Sequence, residues 1–296
     1  MKILLFGTNG QVGFELARSL LPFGEVIALN RKQVDLTDLE KLSVTIQKIS
    51  PDVIVNAAAY TAVDKAESER ELAFLINEKA VAVFAQEAKK LNALLIHYST
   101  DYVFDGTKDT SYIEDDCPAP LNVYGESKLA GERAVQASGA DFLIFRTTWV
   151  FAARGQNFVK SILRLANERE ELNIVADQIG APTSARFIAD ATAYILPQIQ
   201  QARNANIFIS SIFNLTNSGE TSWFEFARKI IELARLQGIE LKNRVINPIP
   251  TSAYPTPAKR PANSRLLTKK LQQRFGLTIP TWEQSLSLCL EEIYGK

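Results

Sequence analysis

The chain has 296 residues, and its 33 Lys and Arg offset 33 Asp and Glu to a formal net charge of zero. A neutral chain supplies no global field for nucleic acid or for an anionic membrane, and both partners are excluded on that ground. Two isolated cysteines, Cys117 and Cys289, and a single histidine, His97, exclude a disulfide framework, a thiolate metal site and a multi-histidine metal centre.

The opening run Met1–Gly7 is too short, and too soon broken by Gly7, for a signal peptide. No apolar run is long enough to span a bilayer. A cytoplasmic location is expected. Ile3–Phe6, Val26–Leu29, Val53–Ala57, Leu94–Tyr98 and Phe142–Phe145 are short apolar runs with little alternation, as in strands covered on both faces. Helical periodicity fills the intervals near Val12–Leu20, Leu39–Ile49, Glu67–Leu91 and Tyr124–Ala137. Repeated βα units of this kind predict an α/β fold with a doubly wound parallel sheet and right-handed crossovers. After Thr147 the pattern loosens. Helices are expected near Asn157–Asn167, Ala185–Leu196, Ser222–Leu236 and Trp282–Tyr294, strands near Leu172–Val175 and Ile207–Leu215, and a Pro-rich loop from Pro248 to Pro261.

Gly7-Thr8-Asn9-Gly10-Gln11-Val12-Gly13 follows the first strand and opens the first helix. Glycine permits the tight turn and the close backbone approach, so N–H groups at the helix start can face a pyrophosphate. The fold is therefore expected to be Rossmann-like. Residues 1–150 form its dinucleotide-binding domain, rejoined by about 184–217, and 151–183 with 218–296 form a smaller mixed α/β substrate-binding lobe. The second strand ends in Asn30-Arg31-Lys32, where an NAD-selective site usually has a carboxylate for the ribose 2′-hydroxyl. Arg31 can pair with a 2′-phosphate, so NADPH is the expected cofactor with NADH tolerated; a solvated basic pair is the plainer alternative. Asp35, followed by Leu36, can accept from an adenine amino group or start a helix. Ala59, Tyr60 and Thr61 follow the third strand, where small side chains admit a cofactor or a tightly packed helix.

Tyr124 and Lys128 are four residues apart and share one helix face. An ammonium beside a phenol favours the phenolate of a group that otherwise ionises near about 10. Ser99, Thr100 and Asp101 end the fourth strand, and ligands on open α/β sheets bind beyond the carboxyl ends of strands. Tyr124 is expected to supply a proton. Thr100 is expected to bond a substrate carbonyl or the phenol, and Lys128 to lower the phenol pKa and bond a nicotinamide ribose. His97, inside an apolar strand pattern, reads as a packed structural residue.

Longer runs carry a resemblance. Val53–Ala59, Thr61–Glu67, His97–Phe104, Pro120–Gly125, Phe145–Val150, Gly180–Thr183 and Pro255–Leu266 resemble the dTDP-4-dehydrorhamnose reductase family of the extended short-chain dehydrogenase/reductases. The resemblance implies reduction of the C4 ketone of dTDP-4-dehydro-6-deoxy-L-mannose to dTDP-L-rhamnose, with Tyr124 protonating the oxyanion. It implies that Thr100 assists, that Asp101 lies near the sugar and that Trp149 contacts substrate. Arg260 and Arg265 would suit the diphosphate. Core or interface burial is the competing reading of Trp149, and surface charge is that of the two arginines. Two other functions use the same fold. A non-catalytic nucleotide-binding regulatory subunit need not keep Thr100, Tyr124 and Lys128 together. A sugar-nucleotide epimerase or dehydratase usually needs an Asp-Glu pair where this chain has Asp101-Tyr102. Some members of the family join subunits through a metal held by carboxylates. Glu15 is retained here, but Arg186 stands where an acidic residue is expected, and a cation opposes Mg²⁺ binding. No metal is expected, and the chain should be a monomer or weak homodimer; a Mg²⁺-dependent dimer in sedimentation would overturn this.

Overall fold

A computed structural model describes residues 1–295. Six parallel strands form the main sheet: β1 (Lys2–Phe6), β2 (Glu25–Leu29), β3 (Val53–Asn56), β4 (Leu94–Thr100), β5 (Asp141–Thr147) and β6 (Ser211–Asn214). Their spatial order is β6-β5-β4-β3-β1-β2, the doubly wound α/β arrangement expected from the alternating pattern. The chain runs outward from β1 in both directions, so its crossovers part at the β1/β3 boundary and leave a crevice beyond the strand ends there.

Period-2 alternation divides each strand between two cores. Leu4 and Phe6 join Ile54, Phe84 and Ile144 on one face, under helices α2 (Leu39–Ile49) and α3 (Ala80–Leu91). Ile3 and Leu5 join Leu16, Val55, Ile188 and Leu196 on the other, under α1 (Gln11–Ser19) and a later helix. Local sequence sets the helix ends. Asp38 caps α2 by accepting from the Lys41 N–H at 2.9 Å, and Leu42 and Ile46 turn its buried face inward.

The helix α4 (Val123–Ala137) carries Tyr124 and Lys128. Beyond it come α5 (Phe158–Glu168), α6 (Ala185–Asn204), α7 (Trp223–Leu236) and α8 (Trp282–Tyr294). Helix α6 is the one that covers the second face of the sheet. Phe226, Ile230, Trp282 and Leu286 form a separate core among α5, α7 and α8.

Three expectations are corrected. The segment from residue 67 to 91 is not one helix: it divides into Arg70–Phe74, a π-helical turn at Leu75–Lys79 and α3, after a short helix at Val63–Ala66. The turn delivers Asn77, 1% exposed, to the interior. There it accepts from the Tyr60 N–H at 2.9 Å and donates to the Tyr60 carbonyl at 3.1 Å and the Ser127 hydroxyl at 3.0 Å. Those three bonds tie the loop after β3 to α4, a long-range gain that periodicity does not record. Val245–Ile249, which overlaps the start of the Pro-rich stretch, is a strand paired in parallel with Glu171–Val175. Pro248 is tolerated because that strand has a partner on one side only. Lys269–Phe275 is a further short helix, missed because its polar run shows little apolar period.

Candidate active site

The glycine turn forms one end of a cavity of about 500 Å³ beyond the carboxyl ends of the strands. Gly7 has φ +87°, and a Cβ there would lie 2.6 Å from the Ala57 carbonyl carbon. A Cβ on Gly13 would lie 2.2 Å from the Gly7 carbonyl oxygen. Both positions therefore need glycine, one for the turn and the other for the helix packed onto it. No side chain caps α1 and no acidic residue stands in its first turn. Its positive end faces the cavity unopposed, a setting that suits a phosphate.

Asn9, Gly10, Gln11, Val12, Asn30, Arg31, Asp35, Leu36, Ala59 and Thr61 all line this cavity with Gly7, Tyr124 and Lys128. Gly13 and Tyr60 do not. Gly13 packs beneath the turn, while the Tyr60 hydroxyl donates to Glu69 at 2.7 Å and its ring joins Ala66, Ala73 and Val123. Thr147, Gly155 and Gln156 also line it. They lie at and beyond the end of β5, in the loosened region where the sequence carries no cofactor motif. The Asn157 amide, which donates to the Gln11 side chain at 2.7 Å, anchors that segment over the turn.

Arg31 and Asp35 form an ion pair of 3.0 Å at the rim, with the Arg31 side chain 75% exposed. Such a pair contributes at most about 1 kcal/mol, so its guanidinium is readily redirected to a phosphate. The Thr37 N–H and the Arg31 and Thr37 side chains hold the Asp35 carboxyl below its ordinary value against a smaller desolvation effect.

At the other end, α4 starts where Asn122 accepts from the Gly125 N–H at 2.8 Å and donates to the Lys259 carbonyl at 2.7 Å. The cap thus fixes the first turn, with Tyr124 on it, against the carboxyl-terminal segment. A Cβ on Gly125 would lie 2.2 Å from the Tyr102 carbonyl oxygen, so the helix reaches the strand end only with glycine there. The Tyr102 and Tyr124 rings meet edge to face at 5.4 Å. Burial pushes the Tyr124 phenol up to about 12, opposed by the Thr100 hydroxyl and reinforced by the Asp101 charge. Lys128, expected to lower it, is not among the groups that shift it. The Lys128 Nζ turns to the Tyr98 carbonyl at 2.6 Å and to His97 Nε2 at 3.3 Å. Tyr124 is therefore held as the protonated acid.

Thr100 is 5% and Asp101 3% exposed. The Thr100 hydroxyl donates to Asp101 Oδ1 at 3.1 Å and accepts from the Tyr102 N–H at 3.2 Å. Ser99 Oγ, Asp101 Oδ2, Thr147 Oγ1 and Thr148 Oγ1 are buried without a protein hydrogen-bond partner. Four such atoms at neighbouring strand ends suit a polyhydroxylated ligand, since buried polar groups otherwise cost free energy. Desolvation drives the Asp101 carboxyl up to about 6, partly offset by the neighbouring hydroxyls of Ser264, Thr100 and Thr148, of which Thr100 alone is within bonding geometry. A raised acid stabilises the fold below its unfolded value, and that contribution is lost as pH rises through about 6. Asp101→Asn is accordingly expected to stabilise the protein at neutral pH by about 3 kcal/mol, with little gain below pH about 4. Denaturant melts at the two pH values check this; an equal gain at both would assign the effect to packing.

Trp149 has φ +46°, a left-handed conformation that costs a non-glycine residue about 1 kcal/mol. Its ring stacks on Trp223 at 3.5 Å. It also lies against Gly180, where a Cβ would come within 2.6 Å of the indole. The indole is half-buried against the α5–α7–α8 core, and it is outside the lining of the cofactor-sized cavity. Arg260 also lies outside it, paired with Asp64 at 2.9 Å. Arg265 pairs with Glu220 at 3.1 Å and bonds Asn263. Both arginines are engaged within the protein and are not simple surface charges.

Glu15, 3% exposed, lies 3.8 Å from Arg186. Burial and Glu292 raise its carboxyl, while Arg186 and Arg18 oppose the rise. Among the described residues no group of three or more His, Cys, Asp or Glu is placed to hold a metal ion, and no helix is long and apolar enough to cross a membrane.

A sequence profile described as the RmlD substrate binding domain matches residues 1–294. The dTDP-4-dehydrorhamnose reductase of Burkholderia thailandensis is 52% identical over 298 residues, covering 100% of both chains. That of Escherichia coli K12 is 50% identical, over 99% of this chain and 98% of its own. Among solved structures, the Bacillus anthracis dTDP-4-dehydrorhamnose reductase in complex with NADP superposes with a TM-score of 0.88 at 35% identity, over 98% and 99% of the two chains. A Thermus thermophilus UDP-glucose 4-epimerase superposes at 0.79 with 19% identity, a likeness of fold alone. With the glycine cradle, the Ser99 and Thr147 hydroxyls and the Tyr–Lys helix in one cavity, and with these matches over its whole length, the chain belongs to the dTDP-4-dehydrorhamnose reductase family.

Proposed function

We propose that the protein reduces the C4 ketone of dTDP-4-dehydro-6-deoxy-L-mannose with NADPH, NADH being tolerated, to give dTDP-L-rhamnose. The observation that carries this reading is the single cavity running from the Gly7–Gly13 turn to Tyr124 and Lys128. The cradle fits a dinucleotide: a Cβ at Gly7 would fill the turn, and α1 presents uncapped N–H groups. Gly7, Asn9, Gly10, Gln11 and Val12 hold the pyrophosphate; Asn30, Arg31, Asp35 and Leu36 hold the adenosine end; Ala59 and Thr61 border the nicotinamide ribose. When bound, the nicotinamide supplies hydride to the sugar C4.

The remaining chemistry belongs to side chains of the protein. Tyr124 gives its phenolic proton to the C4 oxygen, and its high proton affinity in the resting state keeps that proton in place until the oxygen becomes basic. Thr100 bonds the same oxygen and steadies the phenol. Asp101 and the free hydroxyls around it meet the sugar hydroxyls, and Trp149 borders the sugar from the side of the smaller lobe. Arg260 can exchange Asp64 for the diphosphate of the substrate. The division of the chain into a dinucleotide domain (1–150 with about 184–217) and a substrate lobe (151–183 and 218–296) belongs to the same proposal, as do the cytoplasmic location and the monomer or weak homodimer. The retention of Thr100, Tyr124 and Lys128 together favours catalysis over a regulatory subunit.

The direct test is NADPH oxidation by the purified protein with dTDP-4-dehydro-6-deoxy-L-mannose against other 4-keto sugar nucleotides. Turnover confined to one of the others would replace the substrate. For the cofactor, Arg31→Ala is expected to raise KM for NADPH about tenfold, equivalent to about 1.4 kcal/mol, and to leave KM for NADH nearly unchanged. Equal effects on both would return Arg31 to the solvated surface.

A further inference from the structure

His97 is the only histidine in the chain and is 0% exposed, so its protons can go only to protein neighbours. Each ring nitrogen has one. Nδ1 lies 3.2 Å from the Asn56 amide nitrogen, and Nε2 lies 3.3 Å from the Lys128 Nζ. The orientation of Asn56, itself 1% exposed, is determined: its Oδ1 accepts from the Ala58 N–H at 3.1 Å, and a backbone N–H can only donate. The atom facing His97 is therefore the NH₂ group, a donor.

A neutral imidazole has one lone pair and one N–H. Asn56 donates toward Nδ1, which must then carry the lone pair, and the proton sits on Nε2, aimed at Lys128. A lysine ammonium is also a donor without a lone pair. It would meet that N–H donor to donor, whereas a neutral amine would accept from it. A doubly protonated ring is disfavoured as well, because burial and Lys128 hold the His97 pKa well below its ordinary value.

We propose that His97 sets the charge of Lys128: held by Asn56 as the Nε2–H tautomer, it offers the lysine a donor and favours the neutral amine. Other groups facing Lys128 do not reverse this. Glu132, one turn further along α4, is committed to Arg146 of β5 through bonds of 2.9 and 2.7 Å. The Tyr98 carbonyl of β4 accepts at 2.6 Å from either form of the lysine. Tyr124, one turn back on the same helix, stays protonated at neutral pH. Burial acts in the same direction as His97, carrying Lys128 down to about 8 against the attraction of Glu132. On the reading of Tyr124 as the acid, the positive charge beside it is withdrawn in the range just above neutrality, and His97 determines where. His97 is thus a positioning residue for the acid/base pair, not a packing residue alone.

With only one histidine, the ¹⁵N-histidine spectrum of the full-length protein has a single imidazole to assign. At mildly alkaline pH, without substrate, the expected result is a bare Nδ1 and a protonated Nε2. A protonated Nδ1, alone or in an imidazolium, would overturn the proposal. Asn56→Asp then places an acceptor where the NH₂ group stood. The tautomer is expected to reverse, leaving Nε2 free to accept from the ammonium. The alkaline limb of kcat should move up by about one pH unit. A reversed tautomer with an unmoved limb would overturn the control of Lys128 by His97. The spectrum needs no substrate, so its result does not depend on which reaction the protein catalyses; should the variant fail to fold, the wild-type tautomer still decides.

Discussion

Tyr124→Phe is expected to lower kcat for the reduction by about 10²–10⁴-fold, the usual contribution of a positioned general acid. The substitution removes one oxygen and leaves the ring against Tyr102, so the fold and cavity should persist. NADPH affinity should stay within a factor of about three, because the groups proposed to bind the pyrophosphate and adenosine lie at the other end of the cavity. Turnover and cofactor titration together check this. Unchanged kcat would remove Tyr124 from the mechanism, and loss of both activities at once would point to collapse of the α4 start.

Arg146→Met is expected to cost about 3–5 kcal/mol in stability, as for other buried ion pairs deprived of one partner. Arg146 on β5 is 2% and Glu132 on α4 1% exposed. The guanidinium engages both carboxylate oxygens, donates to the Glu114 carbonyl at 3.0 Å and lies 5.0 Å over the Phe104 ring. Without it, Glu132 is an uncompensated charge one turn from Lys128. Replacing both partners, with Glu132→Leu added to Arg146→Met, should restore most of the loss, since an apolar pair of similar volume avoids the desolvation cost. Denaturant melts of the single and double variants separate this from simple loss of packing. A double variant no more stable than the single one would refute the unpaired-charge account.

The parts of the site legible in the sequence were those made by neighbours along the chain. Tyr124 and Lys128 share a face because a helix repeats every 3.6 residues, and the glycine turn is a local conformation between a strand and the helix it feeds. Arg31 and Asp35 reached the cavity rim for the same reason. Tyr60 was placed in the cofactor site on its position after β3, and the structure turns it to Glu69 and an apolar cluster instead. That choice depends on residues 66 to 123, none of which the motif contains. The division of the 67–91 segment was hidden likewise, because Asn77 earns its irregular turn from Tyr60 and Ser127, not from its helix neighbours.

The alternation of strands and helices that builds the main sheet, the phosphate turn, the acid and its lysine were determined by the sequence alone, since each follows from periodicity or from backbone freedom at a single residue. The direction in which Lys128 points, the high proton affinity of Tyr124 and the partner of His97 were decided only by the tertiary structure. Hydrogen-bond partners and desolvation come from β3, β4 and β5, strands distant in sequence and adjacent in the sheet. A donor or acceptor acquires its meaning there from what faces it.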